Sequence, residues 1–272
     1  MDTAGFDSLL IIGSNNFLAP YIERHFVEAG IVEAKRVIYD VIPDDFSGNI
    51  LVVACDVNKM NINTLRGVVR AIGFSNTSFY DVTEGENFNE ETPLIDCEMY
   101  GMEIRFETFF RNVPHTIIRL PELVIGTGMT NMAMDMVRQI YRGTYMHIDG
   151  ADGRCSAVHA TSVAEVAAIC ALKDVTGTFI FTDGVNHSVK DIAEALAHRL
   201  DDRKIFSVSD KKARFLRFFG NLLGIGGWSG KMYDFKHRKL TFSPAILLSK
   251  LDYQPVSVTE YLLNHVYDEN SL

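Results

Sequence analysis

The feature that most constrains the fold is an alternation of short apolar runs with segments of helical period. The first run, Leu9–Ile12, ends at Gly13. It is followed by a helical pattern over Pro20–Gly30 and by a second apolar run, Arg36–Tyr39. Two strands joined by a helix within about 30 residues predict a β-α-β unit, because parallel neighbours need a crossover connection of this length.

The same alternation continues along the chain. Further strands are predicted at 49–54, 78–80, 116–120 and 178–182, and further helices at 61–72, 100–110, 132–141, 163–172 and 189–200. Strands that alternate with helices at this spacing predict a mostly parallel sheet with helices on both faces, which is the α/β class.

The composition excludes several classes of protein. Hydrophobic residues make up 47% of the chain and charged residues 22%, which is typical of a folded globular protein. No apolar run approaches the roughly 18 residues that a membrane-spanning helix needs. The start of the chain lacks a basic segment, so no signal peptide is expected. The net charge of −9 disfavours a general nucleic-acid-binding protein.

Cysteine and histidine usage argues against a metal centre. The four cysteines contain no C-x-x-C pair, so neither a zinc site nor a disulfide framework is expected. The eight histidines show no H-x-x-x-H spacing, and no metal site is predicted. Cysteines spaced in this way indicate a reducing compartment, and we expect a cytoplasmic protein.

The turn after the first predicted strand has features of a phosphate-binding loop. Extended dinucleotide-binding loops read G-x-x-G-x-x-G, with the diphosphate on the helix N-terminus. Here the three positions are Gly13, Asn16 and Ala19. Asparagine is the residue type that, after glycine, best tolerates positive φ, and alanine still allows close helix packing. With Asn15 in the same turn and Ala54 at the end of a later strand, these residues are predicted to bind the cofactor.

Asp40 adds to this prediction. It lies 21 residues beyond Ala19, at the end of the second predicted strand, where a carboxylate binds the ribose hydroxyls of the cofactor. The same carboxylate would repel a 2′-phosphate, so NAD is favoured over NADP. The alternative is an ordinary strand-to-helix turn with a solvated aspartate.

Several segments, in the expected order along the chain, resemble motifs of one protein family. Residues 117–128 contain I-I-R-L-P and G-T-G, similar to its L-R-P…Y-G-P-G segment. Residues 154–164 are similar to R-x-S-x-V-H-V-x-D-V-A, and 177–184 to G-x-x-Y-N-x-x-D-G. Residues 61–65 and 90–93 are similar to N-V-x-G-T and E-x-x-P. On these motifs the chain resembles the extended short-chain dehydrogenase/reductases, the NAD-dependent epimerase/dehydratase superfamily.

This resemblance implies an architecture. The fold would be a Rossmann-type, doubly wound parallel sheet, with an NAD(P)-binding domain over 1–177. A small substrate-binding region would lie mainly over 178–272, with the chain able to cross between the two. Family members normally place a helix, a strand and a helix between the equivalents of Asp40 and the strand at Asn49, where this chain has only about ten residues. The sheet is therefore predicted to be one strand short.

The resemblance also implies a function. Family members bind NAD and act on a nucleotide-linked sugar or a similar alcohol by hydride transfer. Arg154 would bind the substrate diphosphate, since a planar guanidinium suits that bidentate role. Gly126 would lie in the substrate-binding segment. For Arg154 the alternative is a surface salt bridge. A homodimer is the usual assembly in the family.

The catalytic pair of the family is incomplete. Its tyrosine is followed four residues later by a lysine, which lies below the phenol on one helix face and lowers the pKa of the tyrosine. Tyr100 matches the tyrosine, but the position four residues later is Ile104. Arg105 points about 100° away from that position on an ideal helix and could serve only if the helix is distorted. Thr83 matches the hydroxyl residue that orients the substrate.

The missing lysine leaves a second register of the catalytic pair and a second function to consider. If the register shifts by one, Met99 replaces the tyrosine and Glu103 the lysine. We expect a regular helix, because i,i+4 geometry is hard to escape without a specific cause. The alternative function is therefore a catalytically silent protein that binds a dinucleotide, a protein partner or a membrane.

The C-terminal part is basic and aromatic. Between Arg203 and Lys250 there are eleven basic and two acidic residues. Residues 211–223 place Phe and Leu side chains along one helical stripe, beside several Lys and Arg residues. Three hypotheses remain, in decreasing order of preference. The stripe packs on the core, the basic side contacts an anionic ligand such as a nucleotide diphosphate, or residues 211–228 lie on an anionic membrane.

Overall fold

The structure is a computed structural model that describes residues 6–13, 15–30, 33–37, 48–55, 67–95, 98–223 and 230–264, with the backbone alone at 33–37, 98–100, 102, 217–223 and 230. Its strands are β1 Ser8–Ile12, β2 Glu33–Val37, β3 Ile50–Ala54, β4 Val68–Asn76, β5 Gly85–Phe88, β6 His115–Leu120, β7 Leu123–Ile125, β8 Met146–Asp149, β9 Arg154–Cys155, β10 Ala157–His159, β11 Gly177–Ile180, β12 His187–Ser188, β13 Phe206–Ser209 and β14 Lys239–Phe242. Its helices are α1 Ala19–Glu28, α2 Glu98–Phe109, α3 Met132–Tyr141, α4 Ala160–Leu172, α5 Val189–Arg199, α6 Asp210–Leu223, α7 Gly230–His237, α8 Ala245–Leu251 and α9 Val258–Asn264.

A six-stranded sheet forms the centre of the molecule. Its strand order is β11-β6-β4-β3-β1-β2, and every neighbouring pair is parallel. All residues of β1 and β3 are buried, as expected for strands covered on both faces. The predicted α/β class and the first β-α-β unit are confirmed. The described residues contribute six strands to this sheet, which agrees with a sheet that is one strand short.

Helices cover both faces of the sheet. On one face α1, α4 and α8 pack apolar side chains such as Ile22, Val163 and Leu247 against the strands. On the other face, α2 and the residue that follows it contribute Phe106 and Phe110. The helices predicted at 100–110, 132–141, 163–172 and 189–200 are all present, with small shifts at their ends.

The prediction for residues 61–80 was wrong where the structure describes them. Val68–Ile72, predicted as the end of a helix, are the first part of strand β4. Ser78–Tyr80, predicted as a strand, fall on and just after a single 3₁₀ turn, Thr77–Phe79. The strand ends at Asn76, whose side-chain oxygen accepts a hydrogen bond from the Ser78 amide. Residues 61–66, with the motif at 61–65, and Asp40 lie outside the described ranges.

A second apolar cluster lies beside the sheet. It joins residues of α3, α5, α7 and α9 with those of β7 and the segment around Cys155. Residues on both sides of position 177 contribute to it, and β11, which begins at Gly177, is an edge strand of the central sheet. The division at 177 stays a prediction.

The basic and aromatic segment that was predicted to be helical at 211–223 forms helix α6, Asp210–Leu223. The structure places Ala213 in the interior, whereas Phe215 is 63% exposed. Phe215 was expected in the stripe that packs on the core, and its exposure contradicts that expectation for this residue. The neighbouring Lys211 and Lys212 are also exposed, so the start of α6 presents positive charge to solvent. No helix within the described ranges is long and apolar enough to cross a membrane.

Candidate functional site

The order of the strands creates a crevice at one edge of the sheet. β1 has β2 on one side and β3 on the other, so the chain passes from β1 to β2 and then returns across β1 to β3, and the strand order reverses between β1 and β3. Ligands of open α/β sheets bind at such a reversal, beyond the carboxyl ends of the strands. Here those ends are Gly13, after β1, and Ala54 and Cys55, at the end of β3. The crevice between them is the first half of the candidate site.

The turn after β1 has the tight geometry that a phosphate loop requires. Gly13 has φ +79°, a left-handed conformation that glycine adopts without strain. Its carbonyl accepts a hydrogen bond from the Asn16 amide at 2.8 Å. Ala19, the first residue of α1, is fully buried, as close helix packing requires. Of the predicted cofactor residues, Gly13, Asn16, Ala19 and Ala54 therefore lie around one crevice.

The Asn16 carboxamide lies across this crevice. Its Nδ2 donates to the Cys55 carbonyl at 3.0 Å, and its Oδ1 accepts from the Leu18 amide at 3.0 Å. The Leu18 amide is one of the donors at the start of α1 that a diphosphate would use. The side-chain oxygen of Asn16 thus accepts the hydrogen bond that an anion at the helix N-terminus would accept. Asn15, in the same turn, is exposed.

A cavity of about 490 Å³ forms the second half of the candidate site. It begins where β4 and β6 end and continues toward α7 and β14. Its lining combines hydroxyl, amide, aromatic and charged side chains: Asn76, Thr77, Ser78, Tyr80, Val82, Pro121, Glu122, Cys155, Ser156, Phe235, Arg238, Leu240 and Phe242. Its volume is that of a site for a ligand of drug or metabolite size.

The predicted substrate residues lie outside the lining of this cavity. Arg154 is exposed, and its guanidinium donates to the Asn186 carbonyl at 3.2 Å. The next residue, Cys155, faces the cavity, because successive side chains of a strand point to opposite sides. Burial raises the pKa of the Cys155 thiol, so it is neutral at pH 7. Gly126 is buried, and a Cβ at this position would lie 2.8 Å from the Cβ of Ala160.

Arg238 is a site residue that the sequence reasoning missed. It lines the cavity, and its guanidinium contacts the Glu122 carboxylate at 2.6 Å. Both side chains are partly exposed, so this pair lies where the cavity meets solvent. The available signal was the position of Arg238 just before the apolar strand β14, within the basic tract.

A buried ion pair lies beside the cavity, on the α2 face of the sheet. Arg119 of β6 contacts both carboxylate oxygens of Glu103 on α2, at distances from 2.6 to 3.2 Å. Its third nitrogen donates to the Tyr80 hydroxyl at 2.9 Å. Burial lowers the pKa of Arg119, but the hydrogen bonds and charge of Glu103 outweigh it and raise that pKa. Burial raises the pKa of Tyr80, and Arg119 opposes this only in part.

Helix α2 turns Glu103, and not a basic residue, toward the sheet. Glu103 is 1% exposed, whereas Ile104 is 47% exposed and Arg105 is also exposed. The helix is α-helical from Glu98 to Phe109, so no bulge moves Arg105 onto the face of Ile104. The Tyr100 backbone belongs to this helix, and its side chain lies outside the described part.

The position four residues before the inward Glu103 is Met99. In the shifted register these two residues would replace the tyrosine and the lysine, and the roles predicted for Tyr100 and Arg105 stay predictions.

Thr83 also lies apart from the cavity. It is exposed, in the loop that connects β4 to β5. The polar residues that directly follow β4 are Asn76, Thr77 and Ser78, and these line the cavity instead. The misplaced strand at 78–80 caused this difference, because it moved the expected end of the strand by several residues. Among the described residues, no group of three histidine, cysteine or acidic side chains is arranged to hold a metal ion.

Comparisons with known proteins identify the architecture. No family model matches the chain, and no curated protein matches it in sequence. A putative epimerase from Burkholderia cenocepacia J2315 has a TM-score of 0.68 at 11% identity, over 94% of this chain and 95% of that one. The human epimerase family protein SDR39U1 (isoform 2), solved with NADPH, has a TM-score of 0.67 at 9% identity, over 95% of this chain and 100% of that one.

A third solved structure is similar over nearly its whole length. The UDP-glucose 4-epimerase of Thermus thermophilus, solved in complex with NAD, has a TM-score of 0.64 at 12% identity, over 94% of this chain and 96% of that one. At identities this low a structural likeness establishes the fold alone. The resemblance noted in the sequence is confirmed at that level, and the chain has the Rossmann fold of the NAD-dependent epimerases and dehydratases.

Proposed function

We propose that this protein binds a nicotinamide dinucleotide in the β1–β3 crevice and a nucleotide-linked sugar, or a similar small polar molecule, in the adjoining cavity. It does so without the tyrosine–lysine relay of its structural relatives. The observation that carries this proposal is the buried contact between Glu103 and Arg119, because α2 turns this acidic side chain toward the sheet and Ile104, at the lysine position, toward solvent.

The geometry of the turn after β1 favours the binding of a dinucleotide. Gly13 gives the tight turn, buried Ala19 lets α1 approach the sheet, and the first amides of α1 are aimed at the crevice. The Asn16 carboxamide must rotate away before a diphosphate can use the Leu18 amide, which costs two hydrogen bonds of about 1 kcal/mol each. Two of the similar structures were solved with NAD and NADPH. The choice of NAD through Asp40 stays a prediction.

The cavity supports a polar ligand with an anionic group. Arg238 can exchange Glu122 for a ligand phosphate, because a guanidinium binds both anions in the same bidentate way. The Tyr80 oxygen accepts from Arg119, so the phenol can donate its own proton to a ligand oxygen. Among the similar structures are a UDP-glucose 4-epimerase and a dTDP-glucose 4,6-dehydratase, and nucleotide sugars are therefore the first ligands to test.

The α2 face explains why we expect binding without relay chemistry. A bound nicotinamide ring would supply a hydride acceptor. The relay would also need a tyrosinate, held by a nearby cation, to take the substrate proton. Glu103 occupies the inward position with a negative charge, and Arg119 is committed to it and to Tyr80. Both exposed candidates on α2, Ile104 and Arg105, lie on the other side of the helix.

The first test is cofactor binding by an Asn16→Gly variant. We expect NAD to raise the melting temperature of the wild type, with the rise proportional to log concentration above the dissociation constant. Asn16→Gly removes the carboxamide from the crevice and should bind NAD about thirtyfold more tightly, since two competing hydrogen bonds of about 1 kcal/mol each are lost. Isothermal titration calorimetry measures the affinity. Asn87→Gly, the same change at an exposed residue of β5 with positive φ, is the matched control and should bind as the wild type does.

Two results would contradict this proposal. Failure of both wild type and Asn16→Gly to bind NAD or NADP would rule out the proposed dinucleotide binding. Robust oxidation or epimerisation of a nucleotide sugar by the wild type, followed by NADH absorbance and product analysis, would show that a proton relay operates and would refute the silent site.

A second test asks whether a lysine at Ile104 restores turnover. Because Ile104 is 47% exposed, a lysine there would extend into solvent instead of toward the sheet. Ile104→Lys should therefore show no gain of NAD-dependent turnover, and its free energy of unfolding should stay within about 0.5 kcal/mol of the wild type. Arg105→Ala serves as the companion variant, with the same expectation. A gain of activity in Ile104→Lys would mean that α2 presents this residue to the cofactor.

A further inference from the structure

A small polar recess lies outside the crevice and the cavity, between β8, α7 and the start of α5. It offers about 20 Å³, which is room for one water molecule or one ion of that size. Tyr145, His147 and Lys236 supply its polar groups, and Val189 and Lys190, the first two residues of α5, form one side. Nothing in the proposed function uses this recess.

Two polar atoms of the recess are buried without a hydrogen-bond partner among the described residues: the Tyr145 hydroxyl and Nε2 of His147. Tyr145 is 2% exposed, so its hydroxyl cannot turn to solvent. His147 Nε2 lies 3.6 Å from the Glu194 carboxylate, too far for a hydrogen bond. A buried polar group left unsatisfied is destabilising, and its presence in a native fold calls for an unseen partner.

Lys236 brings a positive charge to the same place. Its side chain is buried, its Nζ donates to the Met146 carbonyl at 2.6 Å, and it lies 4.0 Å from the centre of the Tyr145 ring. Burial lowers the pKa of Lys236 to about 8, so the ammonium form is still the majority at pH 7. The α5 N-terminus adds a partial positive charge to the same side of the recess.

We propose that this recess is a binding site for a single chloride ion. Its polar lining is made of groups that can donate: a phenol, an imidazole nitrogen and an ammonium. A water molecule has two lone pairs for these three donors, whereas a monatomic anion accepts from all of them at once. Glu194 and Asp191, on α5, are the acidic groups that face His147, and Lys190 and Lys236 oppose them.

The test compares chloride with gluconate, an anion too large for the recess. At constant ionic strength the melting temperature of the wild type should rise with chloride concentration and stay unchanged in gluconate. Tyr145→Phe removes one donor without changing the shape, and its apparent affinity for chloride should fall about tenfold. Tyr141→Phe, the same change at a tyrosine that is 63% exposed, is the control and should keep the wild-type response.

The ion can also be located directly. Bromide replaces chloride and scatters anomalously, so crystals grown in sodium bromide should show an anomalous peak between Tyr145 and Lys236. A water molecule in the recess gives no such peak, and its absence at high bromide would overturn the proposal. An equal chloride response in wild type and Tyr145→Phe would overturn it as well. Neither result depends on dinucleotide binding.

Discussion

Replacing Glu103 by alanine should lower the free energy of unfolding by about 3–5 kcal/mol, the range for removing one partner of a buried ion pair. The reason is the isolation of Arg119. Its guanidinium is buried and makes three contacts to the Glu103 carboxylate, so the variant leaves a charge in the interior whose remaining acceptor, among the described residues, is the Tyr80 hydroxyl. Urea denaturation followed by circular dichroism measures the loss.

The matched control lies one turn further along α2. Glu107 is exposed, and its carboxylate contacts the Thr178 hydroxyl at 3.3 Å near the surface. Glu107→Ala should change the free energy of unfolding by less than about 0.5 kcal/mol. A loss below about 1 kcal/mol in Glu103→Ala would mean that solvent reaches Arg119, and that the α2 face is open enough to admit a catalytic group after all.

The double replacement separates the charge from the packing. Changing Glu103 and Arg119 together to Leu and Met removes both charges and fills similar volumes. Because such replacements of buried pairs are often neutral or stabilising, the double variant should recover most of the loss of Glu103→Ala. Tyr80 would then lose its partner, and ligand binding in the cavity should weaken even though stability returns.

The central sheet could be predicted from the sequence because its strands are local patterns. Leu9–Ile12 and Ile50–Ala54 are continuous apolar runs, and such runs form buried parallel strands wherever they occur. β4 was missed because Arg70 interrupts its apolar run and the residues before it have a helical period. A buried arginine is acceptable in a strand only when distant residues supply its partners, and no local pattern reveals those.

The side chains that line the cavity could not be predicted from the sequence, for a different reason. Side chains of a strand alternate between two faces, so a shift of one residue exchanges the inside for the outside. The resemblance to a family motif predicted Arg154 as a ligand of the substrate, but β9 turns Cys155 to the cavity and Arg154 to solvent. The register of a two-residue strand depends on its neighbours, and here these are β12 and β14, more than 30 residues away. The same holds for Glu103, whose inward position depends on Arg119.

Replacing the buried Arg70 should cause the second large loss in the free energy of unfolding. Arg70 is 1% exposed, and its guanidinium donates to the Thr116 hydroxyl and to the carbonyls of Cys170 and Val175, near the end of α4. The Cys170 carbonyl also accepts from the Val175 amide, and the Val175 carbonyl from the Thr116 hydroxyl, so Arg70 adds a charged donor to acceptors that are already bonded. Arg70→Met keeps the aliphatic volume but removes the three hydrogen bonds that Arg70 donates. We expect a loss of about 1.5–4.5 kcal/mol, at about 0.5–1.5 kcal/mol for each of the three hydrogen bonds.

Asp174 decides whether hydrogen bonds or charge produce this effect. Its carboxylate lies 3.4 Å from the Arg70 guanidinium, but its side chain is 83% exposed, so water screens the pair. Asp174→Asn should therefore cost less than about 0.5 kcal/mol, with Arg138→Met on the exposed face of α3 as the control for the arginine change. Equal losses in Asp174→Asn and Arg70→Met, measured by urea denaturation with unchanged m-values, would show that the surface ion pair dominates. A small loss in Asp174→Asn and a large loss in Arg70→Met would show that Arg70 stabilises the fold through the hydrogen bonds that it donates near the end of α4.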